Sequence, residues 1–358
     1  MNSNWQAYLL LSAVLMVGAC SPAEQPAKEQ SESVFNLQLG EAVQPGIELR
    51  FPEDHGAHPE QGIEWWYVTA NLSSNTGEQF GVQWTLFRTS LVQPELNTKW
   101  WDDNLYFAHF AIQSDSKHKA AEKYGRAGQV TIQSQPFVAN IDDWSMHSLS
   151  DSFLPLQLHA NTGSEQIALT LKDSPMVLHG DNGYSEKTAQ GHASYYYSYP
   201  FLQVTGRIHF DGQAHQVQGQ AWLDREWSAA FIDPEQSGWD WFSLRHQDPA
   251  QGALMVFCIR DEQQRYQDCR GTEISQNGSS KHIPAKEINL QVTATTDISG
   301  HRYPTSWRLK LDHRAAIDIH SRNPNSRNNL TIPYWEGRVS AFGGFTGEGY
   351  AELVGYER

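Results

Sequence analysis

One acidic–aromatic stretch occurs twice in this chain and constrains its fold more than any other feature. Residues 62–67 read Gly-Ile-Glu-Trp-Trp-Tyr, and residues 238–242 read Gly-Trp-Asp-Trp-Phe, so that Glu64 matches Asp240 at an offset of 176 residues. A repeat of this length is too long for a solenoid and indicates a tandem pair. It predicts two copies of one β-rich unit, each beginning with an acidic–aromatic strand.

Short alternating segments follow from residue 46 onward. β-Branched and aromatic residues alternate with polar ones over 82–88, 167–171, 204–210 and 217–223. Turn sequences separate such segments at 74–77, 181–183, 211–212 and 277–278. Asp-Gly and Asn-Gly pairs supply the positive φ angles that tight hairpins need. The pattern predicts an all-β protein of the sandwich or barrel class, with residues 117–123 as the candidate for a short helix.

The first 20 residues have the features of a targeting segment. An apolar run over 9–17 is too short to be a structural span and leads into Val-Gly-Ala-Cys at 17–20. Small residues before a lone cysteine resemble the bacterial lipobox, in which Cys20 is lipidated and becomes the mature N-terminus. An ordinary secretory signal with a chance cysteine is the alternative. Ser21 lacks the aspartate of inner-membrane retention, which favours an outer-membrane anchor facing the periplasm.

The rest of the chain divides into a tether and two domains. Residues 21–45 are polar and contain proline, so they predict a flexible tether that cannot bury enough apolar area to fold. The repeat then predicts domains at 46–236 and 237–358. The formal net charge of −15 argues against a nucleic-acid partner, which requires a basic surface.

Two cysteines remain in the mature region. Cys258 and Cys269 lie at equal distances from Gln263-Gln264, where a hairpin would turn. In an oxidising envelope compartment, this placement predicts a cross-strand disulfide. Two buried free thiols are the alternative.

Motifs for catalysis or metal binding are few. The stretch from Gly183 to Lys187 begins like a nucleophile elbow around Ser185, but Lys187 replaces the second glycine. His55 and His58 have a spacing that suits a metal, but no third ligand is evident in the sequence. Ordinary polar contacts are therefore the better interpretation of the two histidines, and neither a metal nor another cofactor is predicted.

A second charged cluster lies at 222–227, where Asp224, Arg225 and Glu226 stand between two tryptophans. Strand alternation predicts Asp224 and Glu226 on one face, with Arg225 and Trp227 on the other. A structural ion-pair group is one interpretation, because a buried arginine requires fully hydrogen-bonded carboxylates. Catalysis is the other, because a carboxylate in an aromatic pocket can have a raised pKa and donate a proton.

Several motifs together resemble those of the AttH-like family, which is related to the lipocalin-like N-terminal domain of carotenoid 1,2-hydratases and is often labelled predicted secreted hydrolase. They are the histidines at 55–58, Glu-Trp-Trp-Tyr at 64–67, Ser-Tyr-Tyr-Tyr-Ser at 194–198, Asp-Arg-Glu-Trp at 224–227, Gly-Trp-Asp-Trp-Phe at 238–242, Tyr-Trp-Glu-Gly at 334–337 and the ending at 347–356. Over residues 50–358, the resemblance implies two tandem lipocalin-like β-barrels in a bacterial cell envelope. Such proteins are often encoded beside an ABC exporter.

The resemblance implies candidate site residues as well. The family pattern at 224–227 resembles Asp-His-Glu-Trp, and Arg225 replaces a histidine that could shuttle protons. The acid of a hydratase-like reaction would then have to be Glu64, Asp224 or Glu226. The candidate ligand-binding residues are Trp65, Trp66, Tyr67, Trp84, Arg88, Arg225, Trp227, Trp239 and Trp241.

Two functions follow as hypotheses. The first is a lipid-anchored envelope protein that binds an apolar small molecule or lipid and serves an ABC export or lipid-handling system, with the transporter permease as a partner. The second is a secreted hydrolase or hydratase-like enzyme that acts on an apolar or polyene substrate by carboxylate acid–base chemistry. Carboxylates that face an open cavity would favour the enzyme, and carboxylates capped by arginines would favour the binding protein.

Overall fold

Strands make up most of the protein. The computed structural model describes residues 38–91, 102–230 and 236–357. The predicted signal peptide with Cys20, and the tether as far as residue 37, lie outside the described residues. Within the described ranges the chain forms strands, turns and short 3-10 helices, so the predicted all-β class is confirmed. None of the described helices has the length and apolar character that a membrane crossing requires.

The described strands form two antiparallel sheets, one of 13 strands and one of 10. The first contains β1 (Ile63–Ser74), β2 (Gln79–Ser90), β3 (Asn104–Gln113), β4 (His118–Gly125), β5 (Val130–Ser134), β6 (Phe137–Ile141), β7 (Trp144–Ser148), β8 (Leu156–Asn161), β9 (Gln166–Lys172), β10 (Val177–Leu178), β11 (Tyr184–Glu186), β12 (Ala193–Phe210) and β13 (Gln213–Ser228). The second contains β14 (Gln236–His246), β15 (Ala253–Asp261), β16 (Tyr266–Ile274), β17 (Ser280–Ile283), β18 (Ile288–Ile298), β19 (His301–Leu311), β20 (Ile317–Ser321), β21 (Arg327–Asn328), β22 (Tyr334–Gly343) and β23 (Gly347–Leu353). Short 3-10 helices occupy Glu53–His55, Pro249–Gln251 and Ala285–Glu287.

Both sheets are organised around their first strand. In the first sheet, β1 pairs with β2 on one side and with the last strand, β13, on the other. In the second sheet, β14 likewise pairs with β15 and with the last strand, β23. The first sheet forms a nearly closed barrel and the second a half-barrel, as two tandem lipocalin-like units should. The first sheet ends at Ser228 and the second begins at Gln236. The domain boundary at 236/237 stays a prediction.

The duplication extends to a buried ion pair in each sheet. Nε of Arg88 on β2 donates to Oε1 of Glu64 on β1. Nε of Arg260 on β15 donates to Oδ1 of Asp240 on β14 at 3.0 Å. The same atoms therefore pair in both copies of the repeat, which supports the interpretation of the sequence as a duplication.

The predicted hairpins form where the turn sequences lie. Asp211 and Gly212 have φ angles of 52° and 78°, and they connect β12 to β13 directly. In the β15–β16 hairpin, Cys258 and Cys269 are direct cross-strand partners. A disulfide joins them, with their Cα atoms 4.1 Å apart.

The short helix suggested at 117–123 is wrong. Residues His118–Gly125 form strand β4 and pair with β3 along its whole length. Every residue of β3 is buried and its other edge is taken by β2, so this edge needs a hydrogen-bonding strand. Tertiary pairing therefore overrides the helix propensity of the alanines, lysines and glutamate in this segment.

Apolar side chains fill three layers: the interior of each sheet and the space between the two sheets. Strand alternation directs Trp66 and Val68 into the first barrel, and Phe242 and Leu244 into the second unit. The space between the sheets is here called the inter-sheet layer. It contains Tyr67, Val177, Tyr196, Phe201, Trp222, Trp241, Ala253, Met255, Phe257, Ile259, Ile274 and Tyr350, with Trp65 and Trp239 packed against it.

Candidate functional site

Glu64 is completely buried inside the first barrel, where two arginines pair with it. Nη2 of Arg225 donates to its Oε2 at 2.8 Å, and Nε of Arg88 donates to its Oε1. The backbone amide of His58 also donates to Oε1, at 2.9 Å. Burial alone would raise the pKa of Glu64, but the His58 hydrogen bond and the charges of Arg225 and Arg88 hold that pKa well below its usual range. Glu64 is therefore a permanently charged structural anchor and a poor proton donor.

Arg225 belongs to the same structural group. Its guanidinium lies over the ring of its cross-strand partner Trp66, 3.9 Å from the ring centroid. Nη1 donates to the carbonyl of Trp65 at 2.9 Å, and Nη2 donates to the carbonyl of Gly56 at 2.5 Å. These contacts support the ion-pair interpretation of Arg225, which ties the segment before β1 to the barrel wall.

The two histidines before β1 have separate partners. Nδ1 of His55 lies 2.7 Å from the hydroxyl of Tyr197, and its ring stacks on Phe153 at 3.8 Å. Burial, with the charge of Arg225, lowers the pKa of His55 to about 3. The ring of His58 stacks on Trp227 at 3.9 Å. No group of three histidine, cysteine or acidic side chains in the described part of the chain is placed to hold a metal ion.

Asp224 and Glu226 face the inter-sheet layer, on the opposite side of β13 from Arg225 and Trp227. Asp224 contacts the layer residues Tyr196 and Trp222, whereas Trp227 belongs to the core of the first barrel. Strand alternation predicts this division. The three candidate catalytic carboxylates are consequently not brought together, because the barrel wall separates Glu64 from the other two.

Two carboxylates of the second sheet join Asp224 and Glu226 in the inter-sheet layer. Glu336 on β22 and Glu352 on β23 are direct cross-strand partners, and the charge of Glu352 acts on Glu336. These four residues are here called the acid cluster. Nζ of Lys187 lies 2.7 Å from Oε1 of Glu226 and contributes a positive charge.

Asp224 is buried in a set of neutral donors. The hydroxyl of Tyr196 donates to its Oδ2 at 2.9 Å, and Nε1 of Trp222 donates to its Oδ1 at 2.6 Å. The hydroxyl of Ser198 also donates to Oδ1. Burial raises the pKa of Asp224 to about 7 even though these hydrogen bonds act in the opposite direction. Asp224 therefore titrates near neutral pH.

Glu336 and Glu352 are placed to share a proton. The hydroxyl of Tyr67 donates to Oε1 of Glu336, and Nε1 of Trp239 donates to Oε1 of Glu352 at 2.7 Å. Among the described residues no donor reaches Oε2 of Glu336, so this oxygen is satisfied when it carries the proton shared with Glu352. Burial and the charge of Glu352 raise the pKa of Glu336 well above its usual range, and burial raises the pKa of Glu352 to about 7. The acid cluster can therefore store a proton at neutral pH and release it.

A buried histidine extends the network to the second sheet. Nε2 of His179 lies 2.7 Å from the hydroxyl of Ser198, and Nδ1 lies 2.9 Å from the hydroxyl of Thr272 on β16. Its ring stacks on Tyr196 at 4.1 Å. Burial, with the charge of Lys187, lowers the pKa of His179 to about 3, so the ring is neutral and orients the hydroxyl that serves Asp224.

Comparison with known proteins identifies the family of the chain. The family model described as AttH-like matches residues 42–356. The chain belongs to the AttH-like family. A crystal structure described as an AttH protein of Nitrosomonas europaea is 32% identical, with a TM-score of 0.79 over 89% of this chain and 100% of that one. Kievitone hydratase from Nectria haematococca is 15% identical, with a TM-score of 0.66 over 90% of this chain and 98% of that one, and shows a shared fold. No curated protein matches the chain.

The predicted ligand-binding residues of this AttH-like protein fall into two sets. Those inside the first barrel are Trp66, Trp84, Arg88, Arg225 and Trp227. Those at the inter-sheet layer are Trp65, Tyr67, Trp239 and Trp241. The second set shares its space with the acid cluster.

Sequence reasoning missed several members of the site, although a signal existed for some of them. Glu352 occupies in the second sheet the place that Glu226 has in the first, since Trp241 pairs with Glu352 as Trp65 pairs with Glu226. Extending the repeat to the last strand of each unit would have found Glu352. Nothing in the local sequence marks His179.

A cavity of about 870 Å³ lies beside the inter-sheet layer of this AttH-like protein. Its walls include residues 189–193, residues 259–261 and Asp268. Ile259 belongs both to this wall and to the inter-sheet layer. The four carboxylates of the acid cluster do not line the cavity. The cavity therefore contacts the inter-sheet layer but does not reach the acids.

Proposed function

We propose that this AttH-like protein is an acid–base enzyme whose apolar substrate is held in the inter-sheet layer. The enzyme would add water across a carbon–carbon double bond of that substrate, or remove water to form such a bond. The acid cluster is the observation that carries the proposal. A structural ion-pair group surrounds its carboxylate with positive charge, as Arg88 and Arg225 do at Glu64. The acid cluster instead places three buried carboxylates and the partly exposed Glu352 beside one lysine. Burial raises the pKa values of Asp224 and Glu352 to about 7, which suits proton transfer.

The chemistry balances within the cluster. Glu336 in its neutral form would transfer a proton to one alkene carbon, and the π electrons would form the new C–H bond. The other carbon would become a cation, which the faces of Trp241 and Tyr67 would stabilise. A water oxygen would then bond to this carbon, and the proton that the water loses would pass to Asp224 or Glu352. The cluster would thereby recover the proton, and the reverse sequence would be dehydration.

Turnover by acid variants tests the proposal. Wild-type protein incubated with a panel of apolar alkenes and polyenes should yield products that have gained one water by mass spectrometry. Glu336→Gln and Asp224→Asn should lower the rate on the order of a hundredfold, because they remove a positioned acid or base. Asp318→Asn, at an exposed carboxylate paired with Arg308, is the matched control and should keep the wild-type rate. Folded acid variants that turn over at the wild-type rate would refute the proposal, as would a wild type that is inactive on every substrate.

The closed state of the site favours a second function, binding without chemistry. Asp224, Glu226 and Glu336 are at most 7% exposed, and Glu352 is only partly exposed. Asp224 and Glu226 are both capped by hydrogen bonds. The protein would then be an envelope lipoprotein, anchored through Cys20 in the outer membrane and facing the periplasm. It would bind an apolar small molecule or lipid on behalf of an ABC export or lipid-handling system.

The ligand itself separates the two functions. Mass spectrometry of the protein purified from native envelopes should recover the bound molecule. Incubation of that molecule with fresh wild-type protein should leave it unchanged if the protein only binds it. Conversion to a product that differs by one water would establish the enzyme.

A further inference from the structure

A group of buried polar atoms without hydrogen-bond partners lies in the inter-sheet layer, further along the strands from the acid cluster. Within the described ranges, the hydroxyls of Thr69, Ser243 and Tyr350 have no partner, and neither do Nε and Nη1 of Arg245. Buried polar atoms in folded proteins are nearly always hydrogen-bonded. Several unpaired atoms in one layer indicate that a binding partner completes the site.

Two cross-sheet contacts bracket the group. At one end, the ring of Tyr67 on β1 packs against that of Trp241 on β14, with centroids 5.5 Å apart. At the other end, Nη2 of Arg245 on β14 donates to Oδ1 of Asn71 on β1 at 2.6 Å. The two strands therefore run alongside each other across the layer, with one inward-facing position on each between the two contacts.

Thr69 and Ser243 occupy those positions. Each lies two residues from both contacts on its own strand, so alternation points both side chains into the layer. Ser243 is also the direct cross-strand partner of Tyr350 on β23. Thr69 and Ser243 therefore lie in the part of the layer that Arg245 and Asn71 occupy, and the hydroxyl of Tyr350 reaches across this part of the layer to Gly81 on β2.

Arg245 carries a buried charge without a buried carboxylate. It is 4% exposed, and within the described residues its side chain donates hydrogen bonds to Oδ1 of Asn71 and to the carbonyl of Gln220. Glu348, the acid whose charge acts on it, is exposed. Burial lowers the pKa of Arg245 to about 10, which still leaves the side chain charged at neutral pH. Leaving a buried charge unpaired is unfavourable, and an anionic ligand would neutralise it.

Three other buried arginines of the described residues show a contrast. Arg88 and Arg225 pair with the completely buried Glu64, and Arg260 pairs with the completely buried Asp240. The fold therefore neutralises some buried guanidiniums with a buried carboxylate and does not do so at Arg245. Arg338, which is also buried, pairs with the half-exposed carboxylate of Asp115.

We propose that Arg245, with the hydroxyls of Thr69, Ser243 and Tyr350, binds the carboxylate of an amphipathic organic acid whose apolar chain extends along the layer towards the acid cluster. The free N–H groups and hydroxyls are all donors that a carboxylate can use, and charge-assisted hydrogen bonds of this kind are the strong ones. Trp241 lies four residues from Arg245, or about 13 Å along the strand. If the proposed hydration takes place there, the substrate is an unsaturated acid whose double bond lies on the order of 10 Å from its carboxylate. That last statement rests on the proposed function, whereas the carboxylate site does not.

Calorimetric titration of the full mature chain with dodecanoate and with 1-dodecanol tests the site, since the two probes share a chain and differ in the head group. The wild type should bind dodecanoate about tenfold or more tightly, because hydrogen bonds to a charged group are worth at least that factor. Arg245→Met should abolish the preference. In the absence of ligand, the Arg245→Met variant should melt at or above the melting temperature of the wild type, because the substitution removes an unpaired buried charge. Tyr350→Phe should weaken dodecanoate alone, and Arg308→Met, at an exposed arginine, should leave both affinities unchanged.

Three results would overturn the proposal: equal affinities of the wild type for the two probes, a carboxylate preference that persists in Arg245→Met, or no binding of dodecanoate. Equal affinities would mean that ordered water alone satisfies the group. The experiment is independent of the proposed reaction, because folded Asp224→Asn should retain the dodecanoate preference while losing turnover. Hydration of neutral alkenes by a protein without the preference would leave the proposed function intact and remove only the carboxylate site.

Discussion

Replacement of Arg225 by alanine tests the structural interpretation of the charged group in the first barrel. Arg225 and Glu64 are both completely buried, and their charged atoms lie 2.8 Å apart. The alanine variant would remove that contact, the stacking on Trp66 and two hydrogen bonds to backbone carbonyls. Glu64 would keep Arg88 but lose half of its buried counter-charge.

The expected effect is large. Breaking a buried ion pair by removing one partner costs about 3–5 kcal/mol. For a chain of this size, each kcal/mol corresponds to about 1.5 °C, so the melting temperature should fall by roughly 4–8 °C. Circular dichroism of the mature chain during heating would measure this shift. Arg225→His should also destabilise the protein and should gain no turnover, because the side chain at 225 faces the barrel and not the acid cluster.

Two further variants make the result interpretable. Arg308→Ala breaks an ion pair with Asp318 whose side chains are 48% and 37% exposed, and exposed pairs contribute about 0–1 kcal/mol. Arg260→Ala repeats the perturbation in the second copy of the repeat, where Asp240 is the buried partner, and should be as severe as Arg225→Ala. If Arg225→Ala melts with the wild type, the ion-pair account of this group is refuted.

The other predictions concern the acid cluster, the disulfide and the anchor. Because the pKa values of Asp224 and Glu352 are raised to about 7, their contribution to stability is complete below about pH 4 and is lost as the pH rises through 7. In urea denaturation, Glu352→Gln should therefore lose less stability than the wild type between pH 5 and 8, and an equal loss would contradict the raised pKa. Non-reducing peptide mapping of the protein purified without reductant should recover Cys258 linked to Cys269, and complete alkylation of both thiols without reductant would exclude the bond. Cys20→Ala should move the protein from the membrane fraction to the soluble periplasm, whereas a wild type that is already soluble after signal removal would contradict lipidation.

The local features of the fold could be predicted from the sequence. Alternating segments such as 204–210 and 217–223 lie in strands, and the Asp211-Gly212 pair forms the hairpin between them. The repeat predicted that the Gly62 and Gly238 strands hold the same place in their sheets, as they do. These predictions succeed because side-chain alternation, turn conformation and duplication depend on residues that are neighbours or regularly spaced in the sequence.

The composition of the site depended on the tertiary structure. Alternation predicted that Asp224 and Glu226 share a face, but it could not show that this face meets Glu336 and Glu352 of the second sheet. Nor could it show that Glu64 lies behind the barrel wall among arginines. The alternation of side chains determines which residues of one strand point to the same face. Which strand or sheet packs against that face depends on contacts between residues more than a hundred positions apart in the sequence. The burial that raises the pKa of an acid arises only when those distant faces close over it.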